Sequence, residues 1–174
     1  MVKIRRASIV ILLMGAAVAA LFISGHLTIN TTQSAPRGLW FIFGEGKKAV
    51  SIGDYVLVDM NHFAAYEQYS GYPTQRSAWG SRAAPLLKSI AAAEGDCLAR
   101  DGSGVILVNG KPLASSDIIS RDRAGNDMIA YPLPLKLAEG QLWLTSESVR
   151  GFDSRYLGPV RAAACRKAVP LIVF

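Results

Sequence analysis

Only two cysteines and two histidines occur in 174 residues, and charged side chains make up 18% of the chain. Cys97, Cys165, His26 and His62 are too few and too scattered for a structural zinc site, so no metal ligand set is expected. His62 alone reads as a surface histidine or one satisfied within a loop. The chain lacks G-x-G-x-x-G, the P-loop pattern, and haem and iron–sulfur motifs; no cofactor is expected. Basic residues do not gather either. The formal net charge is +6, but Lys3, Arg5 and Arg6 supply half of it, and no Lys/Arg cluster follows. That distribution argues against a nucleic-acid partner. Beyond residue 26 there is no long amphipathic helical period, no internal repeat and no low-complexity tract.

Apolar residues, by contrast, make up 51% of the chain, which excludes disorder as its main state, and the length suits one domain. Ala7 to Gly25 (ASIVILLMGAAVAALFISG) carries no charge over 19 residues. As a helix this run would be about 28 Å long, against roughly 30 Å of membrane hydrocarbon. Lys3, Arg5 and Arg6 precede it and no charge follows until Arg37. The positive-inside rule then keeps the N-terminus in the cytoplasm and sends the remainder outward. Ala17-Val18-Ala19 offers an A-x-A-like cleavage site, yet the unbroken run to Ile23 is long for a signal peptide. The expectation is an anchor or signal segment over 1–25, read as a retained single pass of the cytoplasmic membrane. Residues 26–174 would form one domain facing the periplasm or cell exterior. Disulfides persist there; Cys97 and Cys165 either form one bridge or remain two buried thiols.

The body reads as mainly β. Leu39–Phe43 is a short apolar run ended by Gly44 and Gly46, and Asp54–Asp59 is a β-branched and aromatic strand introduced by Gly53. Leu86–Ile90, Leu142–Thr145 and Val169–Phe174 read as further strands. Val105–Val108 followed by Asn109-Gly110 is the strongest hairpin signal. Residues 60–84 suggest a long loop or partly helical insertion, and 114–136 a second irregular stretch.

Four fragments carry the chemistry: Thr31-Thr-Gln-Ser-Ala-Pro-Arg-Gly38, Gly53-Asp54, Leu87-Lys88-Ser89-Ile90 with Gly95-Asp96, and Phe152-Asp153-Ser154-Arg155-Tyr156-Leu157-Gly158. Each is ordinary; their order and spacing resemble the type I signal peptidases, membrane-bound serine proteases with a Ser–Lys dyad. The TraF-like peptidases of conjugative transfer, with S-x-P-x-G-x-[WY] close behind one apolar segment, fit best. The resemblance runs from Lys3 to Val160. It implies a signal-peptidase-like β-domain, with Ser34 as nucleophile and Lys88 as general base. It also implies an oxyanion hole from the Ser34 backbone N–H and the Thr32 hydroxyl. Asp153 and Arg155 resemble the family's structural ion pair, with Ser154 ordering the same region. The implied partner is an exported precursor, a pilin precursor in this sub-type, which the enzyme trims or closes into a ring. A general leader peptidase and a non-catalytic membrane-anchored scaffold are the rival readings. Oligomeric state is not specified.

A lysine can act as base only when neutral, so its ordinary value near 10.4 must fall. On a strand, Leu86, Lys88 and Ile90 share one face, and burial in that apolar row would supply the shift. The chain also departs from the family pattern. Ala35 stands where many relatives have Met, and Ser89 where Arg is usual in the housekeeping branch. Gly151 stands where those enzymes place a lysine-orienting serine, and Thr145-Ser-Glu-Ser148 lacks their G-D-N-R. Ser146, Ser148 and Ser154 are the candidates to take over that orientation.

Overall fold

The computed structural model describes residues 2–44, 48–69 and 84–174, with side chains of the first helix described from Ala7 onward. Gly46, residues 70–83 of the expected insertion and the Lys3, Arg5 and Arg6 side chains lie outside the described residues.

Helix α1 (Val2–Ile23) ends in a Schellman motif. His26 N–H donates to Leu21 O at 2.8 Å and Gly25 N–H to Phe22 O at 3.0 Å. Gly25 takes φ 70°, the left-handed turn this motif needs and glycine adopts without strain. Arg166 then donates to Gly25 O at 2.8 Å and Phe43 O at 3.2 Å, tying the helix exit to the body. The uncharged helical part, Ala7 to Ile23, is 17 residues, or about 25 Å. Among the described residues no helix is long and apolar enough to cross a membrane.

Eleven strands are described: β1 (Leu27–Asn30), β2 (Gly38–Ile42), β3 (Tyr55–Val58), β4 (Leu86–Ala92), β5 (Cys97–Arg100), β6 (Ile106–Val108), β7 (Lys111–Pro112), β8 (Leu135–Lys136), β9 (Gln141–Thr145), β10 (Val160–Arg161) and β11 (Arg166–Val173). A one-turn helix, α2 (Ser154–Leu157), precedes β10. The larger sheet has the order β1-β2-β11-β3-β4-β9-β10 and the smaller β7-β6-β5-β8. The mainly β expectation holds. Residues 60–69, the described part of the expected insertion, form two 3-10 turns, Met60–His62 and Tyr66–Tyr69.

Period-2 alternation sorts the larger sheet into two faces. Val56, Val58, Ile90, Leu144, Tyr156 and Leu157 pack on one side, and Ala35, Trp40, Ile42, Leu87 and Ala168 on the other. A third cluster, Ala92, Leu98, Ile106, Leu137 and Trp143, joins the two sheets. Leu86 and Ile90 belong with the first face and Leu87 with the second, so Lys88 points into the larger core.

The bridge between Cys97 and Cys165 does not form; both cysteines are free. Cys97 opens β5 in the smaller sheet and is exposed, whereas Cys165 is buried in the larger core. Burial pushes the Cys165 thiol up to about 12. Only Cys97 is therefore expected to react with iodoacetamide in the folded protein at pH 8, with Cys165 following on denaturation. A mass spectrum showing two adducts before unfolding would contradict this arrangement.

Candidate active site

The loop between β1 and β2 is held from four sides, and this fixes where Ser34 sits. At its base, the buried Asn30 carboxamide donates to the carbonyls of Thr32 (3.2 Å), Ala35 (2.9 Å) and Pro36 (3.0 Å) and accepts the Thr32 N–H at 3.1 Å. The fully buried Trp40 donates its indole N–H to Pro36 O at 3.1 Å. Beyond the end of β9, Glu147 N–H donates to Ser34 O at 3.1 Å, and Glu147 accepts a short hydrogen bond from the Tyr55 hydroxyl. That bond and burial, burial first, push the Tyr55 phenol up to about 12. β11 closes the fourth side. A Cβ on Gly38 would stand 1.9 Å from Ile172 O, so only glycine lets β11 pass so close to the start of β2. Ala35 is buried under the loop beside Trp40 and Leu87, so the small side chain at this position is packed against the sheet.

Ser34 Oγ lies 2.7 Å from Thr32 Oγ1 and 3.3 Å from Leu87 O, and Ser34 N–H points at Thr32 Oγ1 at 3.4 Å. Leu87 immediately precedes Lys88, so the serine hydroxyl reaches the lysine strand directly. Ser34 and Lys88 line one cavity of about 950 Å³, together with Thr32, Leu86, Ser146 and Ser148. Lys88 is 3% exposed. Burial pushes its ammonium down to about 8, the Asp153 carboxylate opposing the shift and the Arg155 guanidinium adding to it. Among the described residues the amine has no hydrogen-bond partner, so it and the Ser34 hydroxyl share the cavity without being bonded.

The C-terminal box is built around a fully buried ion pair. Arg155 meets Asp153 through Nε at 2.8 Å and Nη2 at 2.9 Å, and donates to the carbonyls of Asp117, Ser148, Val149 and Gly151. Asp153 accepts the Ser146 N–H at 2.9 Å, and Ser154 Oγ accepts the Leu144 N–H at 2.9 Å. Both contacts seat the box on β9, which pairs with the lysine strand. With Ser154 committed to Leu144, two of the three serines remain for the amine.

Position and burial separate those two. Ser89 on β4 pairs with Thr145, the last residue of β9, so Ser146 leaves the strand beside Lys88, and both line the cavity. Ser146 is 1% exposed, and a Cβ at Gly151 would lie 2.1 Å from its side chain. Its side chain fills the space that a side chain at 151 would need. Each hydroxyl accepts a backbone N–H of the turn at 3.3 Å, Ser146 from Ser148 and Ser148 from Arg150, so burial beside the lysine strand is what distinguishes Ser146.

Asn30 was not singled out from the sequence. The signal was there in Asn30-Thr31-Thr32: an asparagine two residues before a threonine at a strand end, the spacing of an Asx turn.

A serine hydroxyl and a buried lysine lining one cleft of a β-fold are the equipment of a serine-type peptidase. The model of the family "Signal peptidase, peptidase S26" matches residues 2–174, and the chain belongs to that family. It is 31% identical over 152 residues to the conjugal transfer protein TraF of Agrobacterium fabrum, covering 86% of this chain and 82% of that one. A probable conjugal transfer protein TraF of Sinorhizobium fredii is 32% identical over 142 residues, covering 80% and 72%. Among solved structures, a signal peptidase I from Enterococcus faecalis superposes with a TM-score of 0.42 at 15% identity, covering 70% of this chain and 97% of that one.

Proposed function

We propose that this chain is a membrane-anchored Ser–Lys endopeptidase that processes an exported precursor, a pilin precursor of a conjugative apparatus. The observation that carries the reading is the buried Lys88, its proton affinity lowered by burial, in the same cavity as a hydrogen-bonded Ser34. The TraF relatives, whose names tie them to conjugal transfer, support the substrate class.

In this mechanism neutral Lys88 takes the Ser34 proton as Oγ attacks the scissile carbonyl. The oxyanion is received by the Ser34 N–H and the Thr32 hydroxyl, which lie on the same side of the loop. Ser146, beside Lys88 and buried, steers the amine toward Ser34 as substrate fills the cleft and closes the distance. The resulting ammonium protonates the leaving amine. Water then releases the acyl group; attack by the substrate's own amino terminus would instead give a ring.

Helix α1 supports the membrane setting: it exposes apolar side chains around its length, with Ile11 70% and Leu12 72% exposed. Its uncharged stretch, Ala7 to Ile23, measures about 25 Å against roughly 30 Å of hydrocarbon, so a single pass would need local thinning of the bilayer, with Lys3, Arg5 and Arg6 falling at the headgroup level. Ser34 follows nine residues after Gly25, so the site would face the outer surface of the cytoplasmic membrane.

Mass spectrometry of the precursor, co-expressed with wild type, Ser34→Ala or Lys88→Ala, tests the reading. Mass loss with wild type alone is expected, and a further loss of one water would mark ring closure. If a panel of exported precursors kept the same mass in all three strains, the non-catalytic scaffold would take its place. Cleavage of many secreted precursors would make this a general leader peptidase.

A further inference from the structure

We propose that Asn30 is a positioning residue for the oxyanion donor, holding the Thr32 hydroxyl against Ser34 through a one-way hydrogen-bond chain. The proposal rests on the peptidase reading above.

Hydrogen-bond chemistry sets the direction of the chain. Asn30 Oδ1 receives the Thr32 backbone N–H at 3.1 Å, and a backbone N–H can only donate. The other end of the carboxamide faces three carbonyls, which can only accept, so the amide cannot be turned round. Thr32 Oγ1 lies 2.7 Å from the same Oδ1 and must donate to it. A threonine hydroxyl has one proton. Ser34 Oγ, 2.7 Å from Thr32 Oγ1, must therefore be the donor in that pair, with Leu87 O at 3.3 Å the weaker second acceptor of the same proton. At rest the chain runs from Ser34 through Thr32 to Asn30, and every polar atom of the Asn30 side chain is engaged.

Attack breaks both hydroxyl links. The Oγ–carbon bond forms, the carbonyl π electrons move to oxygen, and the Ser34 proton passes to Lys88. Thr32 Oγ1 then no longer accepts from Ser34, and its own proton swings from Asn30 Oδ1 to the oxyanion. Asn30 keeps the Thr32 N–H throughout, so Oγ1 stays beside the Ser34 N–H while only the proton rotates. The reaction needs no movement of heavy atoms here, which is the condition for preorganised stabilisation.

The test is a double-mutant cycle on the full chain, with the p-nitrophenyl ester of a short alanine peptide as probe. Thr32→Val is expected to lower kcat by roughly 10²–10³-fold with KM held within about twofold, the usual effect of removing an oxyanion donor. Asn30→Ala should lower kcat by at least about tenfold, again without raising KM. The double variant should fall no more than about threefold below Thr32→Val, because Asn30 acts through a hydroxyl already gone. Losses that multiply, or an Asn30→Ala effect confined to KM, would overturn the proposal and leave Asn30 a loop staple. If Asn30→Ala does not fold, Asn30→Ser replaces it. Its shorter side chain keeps a donor for the loop carbonyls but cannot hold the Thr32 hydroxyl, so kcat should fall with the same non-additivity; multiplying losses would again overturn it. Equal ester turnover by wild type and Ser34→Ala is a separate result, sinking the peptidase reading and this inference together.

Discussion

Lys88→Met is expected to abolish cleavage while raising the denaturation midpoint at neutral pH. Burial pushes Lys88 down to about 8 from an ordinary value of 10.5, so at pH 7 the native state holds an ammonium in its core. A drop of roughly 2.5 units is worth about 3 kcal/mol, released when methionine of similar length replaces it. The pH dependence has a definite sign. Between about 8 and 10.5 the unfolded chain binds the proton and the native one does not, so wild-type stability rises with pH across that window. Below 8 both states are protonated and above 10.5 neither is, so the slope vanishes at both ends. Urea denaturation should therefore show the Met advantage at pH 7 shrinking by pH 10.5. Activity should follow the same group, with kcat/KM climbing to a plateau above about pH 8. A Met variant less stable than wild type at pH 7 would mean that the ammonium is well solvated, and the base assignment would lose its physical ground.

Arg155→Ala should be among the most destabilising substitutions in the protein. It strands the fully buried Asp153 carboxylate and removes the donor from Asp117 O and from three carbonyls of the turn that carries Ser146, Ser148 and Gly151. Breaking one side of a buried pair costs about 3–5 kcal/mol, which in a chain of this size lowers the melting temperature on the order of 10 °C. Removing both charges with Asp153→Asn/Arg155→Met should recover part of the loss, since no uncompensated ion remains. Calorimetry of wild type and the two variants reads this directly. A single variant melting within about 2 °C of wild type would show that the pair does not seat the box.

Strands were legible where an apolar run ends on a turn residue. The runs ending at Gly44 and at Asn109-Gly110 appear as β2 and β6, and β3, β4, β9 and β11 fall on the expected segments with ends shifted by a few residues. β1 was not read because Leu-Thr-Ile-Asn is four residues of mixed polarity. β8 and β10 hold two residues each, too few for any period. Strand pairing was legible at the Asn109-Gly110 hairpin, where β6 pairs with β7, but not between distant strands, and that pairing decides the cysteines: a hydrophobic pattern records which face is buried, not which sheet a strand joins. At the site, the resemblance pointed to Ser34, Thr32 and Lys88. That the Ser146 side chain fills the space beside Gly151 is visible only in three dimensions, because the two positions meet across a turn rather than along a strand.

The order of the larger sheet has a consequence in time. The hairpin that carries Ser34, β1–β2, reaches β4, the strand of Lys88, only through β11 and β3 in the described sheet, and β11 is the last of these strands to leave the ribosome. Until its Arg166–Val173 segment slots between β2 and β3, the two halves have no ladder joining them. A chain without β11 would carry Ser34 and Lys88 on separate fragments. The topology itself then makes their shared cavity wait for β11.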